Sequence, residues 1–346
     1  SDYLKYLRQS FLRNEKPKEC SECWNKEGTG LTSLRERSNI EHNAIFKNKY
    51  ERNLKLIGKD NLAFPEDVQM NITNLCNLKC QMCSGDNSSK LLIENNALGY
   101  EELNQKDYDL KDIDYEKILN LVKHDLKLLK ILGGEPFFNP RVIKFLELLV
   151  ENGKAKDIKL HITTNGTICN DKILSLLKKF KDLRIVFSVD GWGKCNEYMR
   201  FPSSWEVISN NIKTFKKNLV NAYVMINCVV QNLNVLYVDQ LLKFANQNEI
   251  FIKLDMVLEP DWLHLSILPK NVLSMAHKKL SSIKDEDLLH TDNVKEIINL
   301  LGQHINNYKL DEDKYKNFID MINKRDNYRK VHIKDYMPEL AEEILK

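Results

Sequence analysis

The chain has 346 residues, 42% of them hydrophobic and 29% charged, enough apolar material for the core of one large α/β domain with an appended module. Its 52 Lys and Arg nearly balance 49 Asp and Glu, and a net charge of +3 argues against dedicated nucleic-acid binding. No apolar run reaches the roughly 18 to 20 residues of a membrane span. The polar start Ser1-Asp2-Tyr3-Leu4-Lys5 is no signal peptide, so a cytoplasmic location is expected.

The start also lacks Met, so either a tag has been removed or the native N-terminus is missing. Residues 1–66 are charged and irregular, with Leu4, Leu7 and Phe11 spaced for a short helix. From residue 67, apolar runs of strand length recur at Val68–Ile72, Leu128–Leu132, Ile158–Thr163, Leu183–Val189, Tyr223–Val230 and Ile250–Val257. Helix-period segments lie between them at Tyr115–Asp125, Val142–Asn152, Lys172–Phe180, Trp205–Lys217 and Val235–Asn248. Six strands alternating with helices predict a parallel α/β sheet, curled by right-handed crossovers into a partial (β/α)6 TIM-like barrel. After Pro269 the strand signal stops, and Val272–Ile283, Val294–His304 and Tyr315–Ile322 read as helices. The expected organisation is an N-terminal cysteine-containing segment (1–66), the barrel (67–264) and a C-terminal helical region (265–346).

Five of the eight cysteines sit in two tight clusters, the pattern of metal or cluster ligands rather than of a disulfide framework. The stronger cluster is Cys76-Asn77-Leu78-Lys79-Cys80-Gln81-Met82-Cys83. Three thiolates on one loop can hold three irons of a 4Fe-4S cube and leave the fourth iron open to another ligand. A structural zinc site wants four ligands, so the alternatives are half a zinc site or chance cysteines. The loop follows the first strand, at the carboxyl end of the sheet, where barrels and open sheets place their chemistry.

This spacing resembles the signature of the radical S-adenosylmethionine superfamily. Further matches follow at successive strand ends: Gly133-Gly134-Glu135-Pro136, Thr164-Asn165-Gly166, Ser188-Val189-Asp190-Gly191 and Asn227 to Asn232. The resemblance covers roughly residues 67–260. It implies a 4Fe-4S cluster on Cys76, Cys80 and Cys83, whose open iron binds the amino and carboxylate groups of S-adenosylmethionine. It implies reductive cleavage of that cofactor to a 5′-deoxyadenosyl radical. Gly133 and Gly134 would let backbone approach the cofactor closely, Glu135 would accept from its ammonium, and Arg200 would pair with its carboxylate. Ser188 and Asn165 complete the implied contacts. Met82 stands where an aromatic residue is frequent in the superfamily, and its thioether can still pack on adenine.

The second cluster, Cys20-Ser21-Glu22-Cys23-Trp24, can chelate one iron or zinc on a turn. It resembles cysteine segments of the SPASM and twitch auxiliary-cluster modules, except that those usually follow the barrel. A second 4Fe-4S cluster there would need further ligands, from missing upstream sequence, from Cys195 or Cys228, or from a group such as His42. Zinc, or no metal, are the alternatives. Cys195, in the loop after the fourth strand, could donate a hydrogen atom to a substrate radical, ligate an auxiliary cluster or be inert. Strand alternation puts His161, Thr163 and Asn165 on one face, and Lys253 and Asp255 on another inward face. Lys253 and Asp255 either pair with each other or meet a polar substrate, and His161 is a substrate contact or a satisfied core histidine.

The expected protein is therefore a SPASM/twitch-type radical S-adenosylmethionine enzyme that takes a hydrogen atom from a peptide or protein. A dehydrogenase or epimerase of a sugar or other small metabolite is the alternative. An iron–sulfur electron carrier or zinc-binding interaction protein is the alternative of another class. A flavodoxin- or ferredoxin-type reductant is implied, and no membrane partner.

Overall fold

The structure, a computed structural model, describes residues 2–28, 33–45, 66–102, 126–257, 259–288 and 290–346. The expected helix Tyr115–Asp125 and the side chain of His42 lie outside what is described. The chain divides into two compact units, Ser1–Pro65 and Glu66–Lys346.

The first unit carries α1 (Asp2–Leu12), where Leu4, Leu7 and Phe11 supply the spacing, then α2 (Ser21–Gly28) and α3 (Leu34–Ile45). The turn expected at Cys20 and Cys23 is instead helical. Pro17, with φ −55°, leads into a 3-10 turn, Lys18–Cys20, that runs directly into α2. Trp24 braces this entry: its indole N–H donates to Pro17 O (3.1 Å), and its ring meets Phe11 at 6.0 Å and the Arg35 guanidinium at 4.6 Å. Glu27 holds Arg35 with two hydrogen bonds of 3.0 and 2.7 Å.

The second unit is built on β1 (Asp67–Asn71), β2 (Leu128–Leu132), β3 (Lys159–Thr164), β4 (Asp182–Ser188), β5 (Ala222–Val230) and β6 (Phe251–Met256). All pair in parallel and in chain order, so the six expected runs form the sheet of a partial (β/α)6 barrel. One strand was not expected. After Pro269 the strand signal does not stop entirely, because β7 (Thr291–Asp292) adds to β6. Two residues are too few to make a readable apolar run.

Helices α4 (Ser89–Ala97), α5 (Pro140–Glu151), α6 (Asp171–Leu177), α7 (Lys194–Met199), α8 (Trp205–Asn218) and α9 (Val238–Gln247) connect the strands. Crossovers of one hand place the connecting helices on one face of such a sheet, and burial alternates accordingly. On β3, Leu160, Ile162 and Thr164 are buried while His161 and Thr163 are half-buried. On β4, Leu183, Ile185 and Phe187 are buried while Arg184, Val186 and Ser188 are half-buried. Phe187 and Phe137 both pack on Phe215 of α8, at 5.5 and 5.7 Å.

The C-terminal helices are α10 (Lys270–Ser281), α11 (Val294–Asn306), α12 (Glu312–Arg329), α13 (Ile333–Tyr336) and α14 (Pro338–Ile344). They belong to the same compact unit as the sheet. Helix α12 runs well past the expected Tyr315–Ile322, because its last two turns bury Arg325, Asp326 and Arg329 instead of apolar residues.

Candidate active site

The cysteine loop leaves β1 and crosses the carboxyl end of the sheet. The glycines after β2 make room for it. Gly134 has φ +55°, and a Cβ there would lie 2.3 Å from Leu75 O. Gly133 has φ +83°, with Asn71 and Thr73 backbone about 3 Å from a Cβ position. The close approach these glycines permit is to the loop's own backbone, which the Glu135 amide then secures by donating to Leu75 O (2.9 Å).

Cys76 and Cys80 are buried with Leu78, and the half-buried Met82 and Cys83 pack against them. Donors are aimed at the sulfurs: Leu78 N at Cys76 Sγ (3.5 Å), Asn165 Nδ2 at Cys76 Sγ (4.0 Å) and Arg200 Nη1 at Cys80 Sγ (3.7 Å). Burial, reinforced by the neighbouring thiols, pushes Cys76 up to about 11 and Cys83 up to about 12. Burial also raises Cys80, against the pull of Arg200. Thiols so placed ionise when a metal supplies the opposing charge. Among the described residues no three His, Cys, Asp or Glu side chains group as for a single metal ion. Cubane thiolates bind three different irons, and three soft donors on one half-covered loop suit that group.

Glu135 is fully buried. Its carboxylate accepts from Phe137 N (3.0 Å), Thr164 Oγ1 (2.7 Å) and Asn165 N (2.6 Å), while burial lifts it to about 7. It therefore fastens the turn after β3 to the end of β2. Asn165, held by that turn, donates to Asn77 Oδ1 (2.9 Å) and accepts from Thr167 N (3.0 Å). Strand ends and cysteine loop are thus joined side chain to side chain.

Arg200 follows α7 and pairs antiparallel with Cys80 in a two-residue ribbon, Lys79–Cys80 with Arg200–Phe201. Its Nη2 lies 2.6 Å from Asp190 Oδ2, and both side chains are buried. Burial works against the Arg200 charge, but Asp190 and the loop thiols hold its pKa above the ordinary value. Asp190 is itself fixed, its Oδ1 accepting from Val229 N (2.8 Å). Arg200 Nε is buried with no hydrogen-bond partner. Ser188 ends β4 opposite Asn227 of β5, half-buried.

The half-buried face of the sheet is polar. Lys130, His161, Arg184 and Tyr223 are direct cross-strand partners on β2 to β5. Burial and the surrounding cations Arg184, Lys159 and Lys130 drop His161 to about 3, so its ring is neutral. Its Nε2 is buried without a hydrogen-bond partner. Lys253 and Asp255 pair with each other at 2.7 Å and remain over a third exposed.

One cysteine placement changes with the structure. Cys195 lies on α7 and not in a loop, 2% exposed within the main core, its Sγ 2.6 Å from where a Gly191 Cβ would stand. The thiol packs among the core residues. Cys20 and Cys23 are half-buried in the first unit. Sequence reading missed Asp190 as the anchor of Arg200, Asn77 as the loop's link to Asn165, and the buried arginines of α12. A short acidic residue immediately after a strand end was the available signal for Asp190.

The sequence matches the Radical SAM superfamily over residues 70–245. The chain belongs to that superfamily, whose members use a 4Fe-4S cluster and S-adenosylmethionine. It is 28% identical over 213 residues to an uncharacterized protein of Methanocaldococcus jannaschii, covering 58% of this chain and 65% of that one. It is 26% identical to GTP 3′,8-cyclase of Campylobacter fetus subsp. fetus, over 56% of this chain and 52% of that one. It is 30% identical to the radical SAM cyclopropyl synthase TigE of Paramaledivibacter caminithermalis, over 55% and 41%. The crystal structure of Streptococcus suis SuiB bound to S-adenosylmethionine aligns over 70% of this chain and 51% of that one, at 19% identity and a TM-score of 0.43. The chain thus spans less than two thirds of these proteins. No helix among the described residues is long and apolar enough to cross a membrane.

Proposed function

We propose that this radical SAM enzyme abstracts a hydrogen atom from a peptide or protein held on the polar face of its barrel. When bound, the loop cluster supplies an electron and S-adenosylmethionine supplies the carbon-centred radical. The observation that carries the cofactor site is Arg200. A buried guanidinium beside Cys80 keeps one donor, Nε, without a partner, which suits a carboxylate arriving next to the cluster. Asp190 orients that guanidinium. Met82 covers one side of the loop, Ser188 and Asn165 offer short polar groups at the strand ends, and Gly133, Gly134 and Glu135 keep the loop in place. His161, neutral, together with Lys253 and Asp255, gives the substrate hydrogen-bonding groups away from the cluster. A flavodoxin- or ferredoxin-type protein is the reductant.

The peptide reading rests on Cys20 and Cys23 as part of an auxiliary cluster completed by other ligands. A second reading, a nucleotide or sugar substrate, is favoured by Arg184 and the Asp67-paired Lys130 flanking the neutral His161, and by the similarity to GTP 3′,8-cyclase. The test is anaerobic turnover with peptides encoded beside the gene, read by mass spectrometry for loss of hydrogen or a new cross-link. A modified peptide together with 5′-deoxyadenosine is expected. Turnover of nucleotides or sugars alone would overturn the peptide reading in favour of the second.

A further inference from the structure

Helix α12 buries charge where helices usually bury hydrocarbon. Charged groups taken from water are destabilising unless paired and hydrogen-bonded, so the partners of Arg325 and Arg329 are informative. Arg329 clasps Glu94 of α4 through Nε (2.9 Å) and Nη2 (2.7 Å), and Nη2 also donates to Lys79 O (2.8 Å). Arg325 Nη1 donates to Gln81 O (3.1 Å) and Gln81 Oε1 (2.8 Å), and its Nη2 reaches Asn95 Oδ1 (3.4 Å). Lys79 Nζ lies 2.8 Å from Glu94. Asp326, between the two arginines, accepts from the Tyr198 hydroxyl and the Ile333 amide, both at 2.8 Å.

Lys79 and Gln81 are the neighbours of Cys80. Two guanidiniums from the far end of the chain therefore grip the main-chain carbonyl on each side of the middle cysteine. A purely architectural contact between α12 and the barrel could use apolar packing at lower cost. We propose that Arg325 and Arg329 are positioning residues of the cluster site, fixing the backbone that carries Cys80 and placing positive charge behind it.

The charges support this. Lys79, Arg325 and Arg329 face Glu94, and Asp326, hydrogen-bonded by the Tyr198 hydroxyl, is the second carboxylate of the group, which leaves one net positive charge. Arg325 Nε and Arg329 Nη1 remain buried without hydrogen-bond partners. Burial, then Arg329, lowers Arg325 to about 10, so it stays charged at neutral pH. Net positive charge near an iron–sulfur cluster favours its reduced, more negative state and raises its potential. The inference rests on membership of the superfamily and is independent of the substrate reading.

The experiment compares full-length wild type, Arg329→Gln and Arg329→Lys. In the iron-free proteins, amide hydrogen exchange at residues 79–83 is expected to quicken at least tenfold in Arg329→Gln, while β3 and β4 keep their rates. In the reconstituted proteins, the cluster is the one whose paramagnetic signal changes when S-adenosylmethionine is added. Its midpoint potential is expected to fall in Arg329→Gln and to stay near wild type in Arg329→Lys, which keeps the charge. Should Arg329→Gln fail to fold, Arg325→Gln, which leaves the Arg329–Glu94 pair intact, is expected to show the same two changes at smaller size. A folded glutamine variant with wild-type exchange at 79–83 and a wild-type potential would overturn the proposal. So would exchange that quickens evenly across the barrel with the potential unmoved, the mark of a merely structural contact.

Discussion

The loop Cys76–Cys83 and the pair Cys20–Cys23 both present thiols at chelating spacing, yet their surroundings differ. The loop thiols are packed together, receive donors from Leu78, Asn165 and Arg200, and lie beside a buried ion pair. The pair sits half-buried on helical backbone, braced by Trp24 and the Arg35–Glu27 contact. Spacing marks both places as able to bind metal. Among the described residues, donors aimed at sulfur and a buried counter-charge meet at the first, whereas the cation beside the second is Arg35.

The sharpest way to break the loop side of that contrast is Arg200→Ala. It removes the charged contact expected for the cofactor carboxylate, so S-adenosylmethionine affinity should drop by about 1.5–3 kcal/mol. It also leaves Asp190 buried and unpaired, lowering stability by roughly 3–5 kcal/mol. Calorimetric titration of the cofactor and a urea melt measure the two effects separately, and iron content should be unchanged. An unaltered binding constant would remove Arg200 from the site.

The pair is sharpened by removing it. A Cys20→Ala/Cys23→Ala protein should keep S-adenosylmethionine cleavage while losing turnover of its true substrate. Its iron content should be about half that of wild type, taking one cube per cysteine site. Equal iron in the two proteins would leave the pair without a cluster. This comparison belongs on the longest native form of the protein, because two thiols alone are too few ligands for a cube.

The smallest expected effect lies on the barrel's polar face. His161 is held near 3 when folded, below the roughly 6.5 of an unfolded chain. The unfolded state therefore binds more protons, and stability contributed by keeping this ring neutral is full above pH 6.5 and lost progressively as pH falls toward 3. Wild type should lose more stability than His161→Gln between pH 7 and pH 4.5 in urea unfolding. Identical pH slopes would show that the ring ionises freely.

The barrel was readable from sequence because the strands are short apolar runs, three of them closed by Gly133, Asn165 and Asp190, and the cysteine spacing fell just past the first run. What escaped was set by partners distant along the chain. Asp190 gains meaning only from Arg200, and Arg325 and Arg329 only from Gln81, Lys79 and Glu94, more than 230 residues away. Helix α12 was under-read because apolar periodicity fails where the buried face is charged. The two residues of β7 are legible only against β6.

The account's central claim is that the three loop thiols form the working cluster site. It is tested most directly by anaerobic reconstitution of wild type and of the Cys76→Ala/Cys80→Ala/Cys83→Ala protein, reduction, and quantification of 5′-deoxyadenosine formed from S-adenosylmethionine. Wild type should form it and the triple variant should form none. Equal formation by both proteins, or none by a wild type that carries its full iron, would contradict the account.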